Sequence, residues 1–166
     1  MNSTQLNTFQ SPNRGRAGVM SNGKAFFFNP ILTKHTTNSE FSVEQMKPED
    51  LPRVEVIYSY LNMGRDVIDY LVKNGVKGIV LAGVGDGNTT DAALAALQEA
   101  AKKGVVIVRS TRTGSGVVDR NVEVDDDKLG FVAAKELNPQ KARVLLMVGL
   151  TKTKDPSKLQ QYFAQY

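Results

Sequence analysis

Gly78-Ile-Val-Leu-Ala-Gly83, running straight into Gly83-Val-Gly-Asp-Gly-Asn88, decides how this chain folds. An uncharged apolar run bounded by glycine suits a strand covered on both faces, because a strand with one wet face alternates apolar and polar side chains. The glycines that follow let the chain reverse tightly into whatever comes next. Upstream, Val54 to Tyr60 (VEVIYSY) is a β-rich run. Asp66 to Lys73 follows it, with Val67, Ile68, Leu71 and Val72 on one helical stripe and Asn74-Gly75 as the stop. On the other side, Thr89-Thr90-Asp91 offers N-cap chemistry for a helix that ends at Lys102-Lys103-Gly104. Leu94, Leu97 and Ala101 share a face of that helix. Val105 to Val108 is a third strand and Phe131 to Ala134 a short fourth. Asn138-Pro139 opens a helix carrying Val144, Leu145 and Val148, with proline at the first helical position. Asp155-Pro156 opens a last one with Leu159, Tyr162 and Phe163. This alternation predicts an α/β fold: a small parallel sheet of about four strands, joined by right-handed crossovers, with helices on both faces.

The alternation begins at Leu51, so residues 51–166 form the α/β domain. Residues 1–50 are rich in Asn, Ser, Thr, Gly and Pro and read as an irregular or hairpin N-terminal arm. Val19-Met20 and Ala25 to Phe28 flank Asn22-Gly23, the dipeptide that favours a two-residue hairpin turn. Glu40 to Met46 is expected to make a short helical turn.

Composition excludes several function classes. There is no cysteine, so disulfides and thiolate metal sites are ruled out, and the single His35 rules out a multi-histidine site within one chain. No apolar run approaches the ~20 residues that span a bilayer. The opening MNSTQLNTFQSPNRG lacks an apolar core and is not a signal peptide. The formal charge is +4, and Arg14, Arg16, Lys24 and Lys34 in the acid-free stretch 1–35 account for it. Four cations over that length make no dense patch, so a solvated connecting segment is favoured over a nucleic-acid or membrane contact.

Ligands of parallel sheets bind beyond the carboxyl ends of the strands. Two segments belong to that edge: Gly83 to Asn88, and Asn121 to Asp127 (NVEVDDD) after the next strand. The first is not a dinucleotide fingerprint, because position 88 is Asn where G-x-G-x-x-G needs glycine, and the acid expected about 20 residues on is missing. The glycines are explained by a tight turn, but Asn88 is not. Its side chain serves either as helix cap or as ligand contact. Glu123, Asp125, Asp126 and Asp127 lack the EF-hand spacing. They form a solvated turn or, alternatively, supply a carboxylate for a substrate ammonium. Ser110, Thr111 and Thr113 have no adjacent base, and a nucleophile needs one. They are expected to make local backbone hydrogen bonds. No catalytic residue, metal ligand or cofactor motif is identified.

Five separated stretches carry a resemblance: Gly83 to Asn88, Val108-Arg-Ser-Thr-Arg112, Glu123-Val-Asp-Asp, Leu137-Asn-Pro-Gln-Lys-Ala-Arg-Val-Leu-Leu146 and Leu150-Thr-Lys-Thr-Lys-Asp-Pro156. In order and spacing the chain resembles the C-terminal domain of bacterial type II L-asparaginases and the related glutaminase-asparaginases, from about Lys34 to Tyr166. The resemblance implies hydrolysis of L-asparagine, or of L-glutamine, to the acid and ammonia. It implies a larger N-terminal domain bearing the nucleophilic threonine of a TGGT-type motif, with residues 1–50 as the end of that domain and the linker. Neither TGGT nor HGTDT occurs in this sequence. The resemblance further implies a homotetramer in which this domain reaches into a neighbouring subunit's active site, and a periplasmic location. Asn88 and Glu123 match the family's substrate-binding positions, with Glu123 facing the α-ammonium. Asp86 departs from the pattern, which often has Asn there. The rival readings are a stand-alone amino-acid-binding module and a non-functional truncation.

Overall fold

The computed structural model describes residues 4–44 and 46–166. β3 (Val54–Tyr58), β4 (Gly78–Gly83), β5 (Val106–Thr111) and β6 (Phe131–Ala133) lie side by side in chain order, each pair parallel. Stepping always in one direction has a steric consequence: right-handed crossovers place every intervening helix on the same face. α1 (Asp66–Lys73), α2 (Asp91–Lys102) and the short α3 (Asp126–Leu129) share that face. They bury Ile68, Leu71, Ala96 and Leu97 against Ile79, Leu81 and Ile107. The opposite face stays bare until the chain has left β6. Then α4 (Pro139–Leu150) and α5 (Pro156–Gln165) double back and cover Val54, Val80, Val108 and Val132 with Ala142, Leu146, Leu159 and Phe163. Alternate residues of β4 therefore feed two separate cores, which is why its sequence reads as continuous apolar.

The parallel sheet covered on both faces agrees with the sequence expectation, and the hairpin does too. β1 (Gly18–Ser21) and β2 (Lys24–Phe27) pair antiparallel about Asn22 and Gly23, both at positive φ (48° and 74°), as the two-residue hairpin turn demands. Three expectations need correction. Val67 and Val144 point into solvent, so the buried stripes of α1 and α4 are narrower and rest on Ile68 with Leu71 and on Ala142 with Leu146. The helical turn expected at 40–46 is a single hydrogen bond from the Met46 N–H to the Val43 carbonyl, with Gln45 outside the described residues. The acidic run is not all loop, since Asp126 to Leu129 make the turn of helix α3.

The arm rests on the α/β body at a few polar points. The Asn13 side chain exchanges two hydrogen bonds with the Gly116 backbone, 2.9 and 2.8 Å, and Arg14 pairs with Glu136 at 2.6 Å. The Tyr166 hydroxyl meets Ser39 and the Glu40 N–H, and the Phe41 ring packs edge-on to Tyr162. Burial raises the Tyr162 phenol above its ordinary pKa of 10.0, and nearby Glu40 adds to the shift. The open side of β6 is closed by side chains. Gln160 accepts from the Ala133 N–H (2.8 Å) and donates to the Ala133 carbonyl (3.1 Å), while Arg120 donates to the Phe131 carbonyl. Among the described residues no helix is long and apolar enough to cross a membrane.

Candidate functional site

Because β4 and β5 are neighbours, the turns leaving their carboxyl ends are neighbours as well. The first turn folds back on itself: Val84 N–H donates to the Asn88 carbonyl (2.9 Å) and Asn88 N–H to the Val84 carbonyl (2.8 Å). Glycine is required at two places in it. A Cβ on Gly83 would lie 2.6 Å from the Gly87 Cα. Gly87 has φ +78°, and a Cβ there would press on the Arg109 side chain, 3.1 Å from Nη1. The tight-turn reading of these glycines therefore holds, and it leaves room for an arginine beneath.

Asn88 does not cap the helix that follows. Thr90 does: its Oγ1 accepts from the Ala93 N–H (3.3 Å) and donates to the Met63 carbonyl (2.6 Å). The Asn88 Oδ1 accepts from the Thr89 N–H at 2.7 Å. Asn88 is exposed, and its amide NH2 makes no hydrogen bond among the described residues.

The second turn sorts four acids into four situations. Asp125 caps α3, accepting from the Lys128 N–H at 3.0 Å. Asp126 is completely buried and takes a bidentate pair of hydrogen bonds from Arg109, Nε to Oδ1 and Nη2 to Oδ2, both 2.7 Å. Asp127 binds Asn121 Nδ2 (2.6 Å) and Arg120, and these partners, Asn121 first, hold its carboxyl below the ordinary value of 3.8. Glu123 is exposed and, among the described residues, has no hydrogen bond or ion pair. The solvated-turn expectation thus fails for Asp126 and fits Glu123.

Asn88 and Glu123 line the same small depression, together with Thr89, Leu94, Arg109 and Val124. Asp86 is close by in sequence. Its Oδ1 accepts from the Asp119 N–H (2.6 Å), while its Oδ2 is buried without a hydrogen-bond partner. The sequence reading misses Arg109. A signal for it exists: a cation inside VVIVRS, on a strand buried on both faces, must find a buried anion.

Chemically, the two turns present one free carboxylate and one free amide donor pair near each other, and a free carboxylate is the kind of group that pairs an ammonium. Among the described residues no activated nucleophile stands beside them. Ser110 donates to the Leu137 carbonyl (2.9 Å), Thr111 and Thr113 bond each other (3.0 Å), and Thr113 donates to the Ser115 carbonyl (2.7 Å). The bonds of Thr111 and Thr113 are local, as expected of a hydroxyl-rich loop, whereas Ser110 departs from that expectation by reaching a carbonyl 27 residues along the chain. His35 is exposed in the arm beside Thr36. Among the described residues no group of three metal-ligating side chains is placed to hold an ion.

A four-stranded parallel sheet with two neighbouring turns at its carboxyl edge, covered by helices on both faces, defines a small α/β domain. Comparison with known proteins gives it a family. The model of the glutaminase/asparaginase C-terminal domain matches residues 53–163, and the chain belongs to that family. It is 48% identical over 163 residues to a protein of Haemophilus influenzae named probable L-asparaginase periplasmic, covering 98% of this chain and 46% of that protein. It is 47% identical to L-asparaginase 2 of Bacillus subtilis, over 99% of this chain and 43% of the relative. A glutaminase-asparaginase of Pseudomonas fluorescens biotype A is 43% identical, over 95% and 43%. The chain spans a little less than half the length of these relatives.

Proposed function

We propose that this chain is the C-terminal part of an L-asparaginase and that Glu123 and Asn88 hold the α-amino-acid end of the substrate. One observation supports this above the others: among the described residues Glu123 is the acid of the run without a hydrogen bond or ion pair, and it lines the same depression as Asn88, whose amide NH2 is free. An ammonium withdrawn from water must be paired, and a carboxylate already spent on a neighbouring arginine cannot do it. Asn88 donates into the polar network around that end of the ligand. L-asparagine is the expected substrate and L-glutamine the second choice. The covalent step, attack by an activated threonine through an acyl-enzyme, belongs to an N-terminal domain that is not among these residues. Residues 1–50 are the end of that domain and the linker. The working enzyme is a homo-oligomer in which this domain completes a neighbour's site, and it is periplasmic, as the Haemophilus influenzae relative is named.

The test is ammonia release from L-asparagine. The chain alone should release none. Fused behind the N-terminal half of the Haemophilus influenzae relative, it should hydrolyse asparagine. Glu123→Gln in that fusion removes a charge-assisted contact worth about 1.5–3 kcal/mol and should raise KM by roughly 10- to 150-fold. A Glu123→Gln enzyme with unchanged KM would remove Glu123 from the site. Steady release by the chain alone, surviving repurification, would place a nucleophile within these residues and defeat the reading.

A further inference from the structure

We infer that Arg109 is the positioning residue of the site: it fixes the distance between Asn88 and Glu123 without touching the ligand. The inference rests on the reading that those two residues hold the substrate. The guanidinium leaves the middle of the sheet, where it is 1% exposed, and passes beneath the bare Cα of Gly87. From there it reaches three separate segments. Nη1 donates to the Asp86 carbonyl at 2.6 Å, in the turn that carries Asn88. Nη2 donates to the Asp119 carbonyl at 2.9 Å, where the acidic loop begins. Nε and Nη2 hold the Asp126 carboxylate, where that loop ends.

Glu123 lies between the last two anchors. Its own side chain is tied to nothing among the described residues, so its place is set by where the loop is pinned on either side of it. The far anchor also gathers the near one, since Asp126 Oδ2 accepts from the Asn121 N–H at 2.9 Å. Asn88 is two residues from Asp86 in a turn whose backbone closes on itself, so it moves with the Asp86 carbonyl. One planar, rigid donor thus references both ligand contacts to a single point on β5. A lysine carries the charge but cannot present donors in three fixed directions.

A buried ion pair is weak evidence for a stabilising role. Such pairs replaced by apolar residues of similar volume are often neutral or more stable, whereas removing one partner alone strands the other charge. That property separates positioning from folding. In Arg109→Met/Asp126→Leu both charges leave together and a core can still pack, but the three tethers are gone. Arg109→Lys is the second variant, keeping a cation beside Asp126 while losing the fork, in case the double variant does not fold.

The experiment takes both variants in two settings. In the 166-residue chain, amide hydrogen exchange is followed at Asn88 and across 119–124. Exchange there should quicken at least about tenfold, with that of β4 and β5 unchanged. In the fusion enzyme described above, KM for asparagine should rise at least about tenfold while kcat changes less than about twofold, the signature of misplaced ground-state contacts. Unchanged exchange in both loops, or an unchanged KM in a variant that folds, overturns the assignment. So does a fall in kcat at constant KM. If the unsubstituted fusion does not hydrolyse asparagine, it is the reading of the site that fails, and the positioning of the two loops is then decided by exchange alone.

Discussion

The α/β body and the arm before it are built with the same turn chemistry and end in opposite states. In the body, each turn hands the chain to an element whose apolar face is covered: α1 and α2 on one side of the sheet, α4 and α5 on the other. In the arm, Asn22-Gly23 sets a well-formed hairpin, yet Met20, Phe26 and Phe27 stand in solvent, and so do Leu6, Phe9 and Leu32. Local sequence suffices to bend a chain, but burial needs something to bury against. Among the described residues the arm carries the side chains of a core without a second layer to close it.

That contrast can be challenged by substitution, most sharply at Leu146. It is fully buried between α4 and the sheet, and Leu146→Ala should cost about 2–5 kcal/mol, read from urea unfolding. Gly83→Ala comes next. Its Cβ would land on the Gly87 carbonyl, so the turn must open, at a cost of about 1–3 kcal/mol in the same assay. A smaller effect is expected for Asp127→Asn. The Asp127 carboxyl titrates below 3.8 when folded, so its contribution is present above that value and drains away as pH falls through the depressed one. The variant should show a shallower loss of Tm between about pH 5 and about pH 2. The smallest effect is on the arm itself: Leu32→Ala, at an 82% exposed leucine, should shift stability by no more than about 0.5 kcal/mol. A cost at Leu32 comparable with that at Leu146 would mean the arm is packed in solution, and the contrast would disappear.

The same division separates what is legible in the amino-acid sequence from what is not. GIVLAG, VEVIY and the Asn-Pro and Asp-Pro helix starts announce the sheet and its helices because strand burial and helix entry are written in short range. Val67 and Val144 mislead because an apolar residue at the margin of a stripe can face either way, and only the neighbouring element decides. The acidic run is harder still. Nothing in Glu-Val-Asp-Asp-Asp says which carboxylate goes inside, since the partner that selects Asp126 comes from β5, earlier in the chain. Asn88 is ambiguous for a related reason: two threonines follow it, and the one that caps is fixed by the approach of Met63. The glycines, by contrast, need no distant partner to be understood.

The Gln160 amide has a consequence for how copies of this molecule can meet. By answering both the N–H and the carbonyl of Ala133, with Arg120 on the Phe131 carbonyl, it stands where a fifth strand would. That margin of the sheet is therefore closed, and on the opposite one the Val54 carbonyl of β3 is already taken by the Arg143 guanidinium at 2.7 Å. A neighbouring strand that approached β6 would find its backbone groups answered, which is how an edge is kept from templating a ladder.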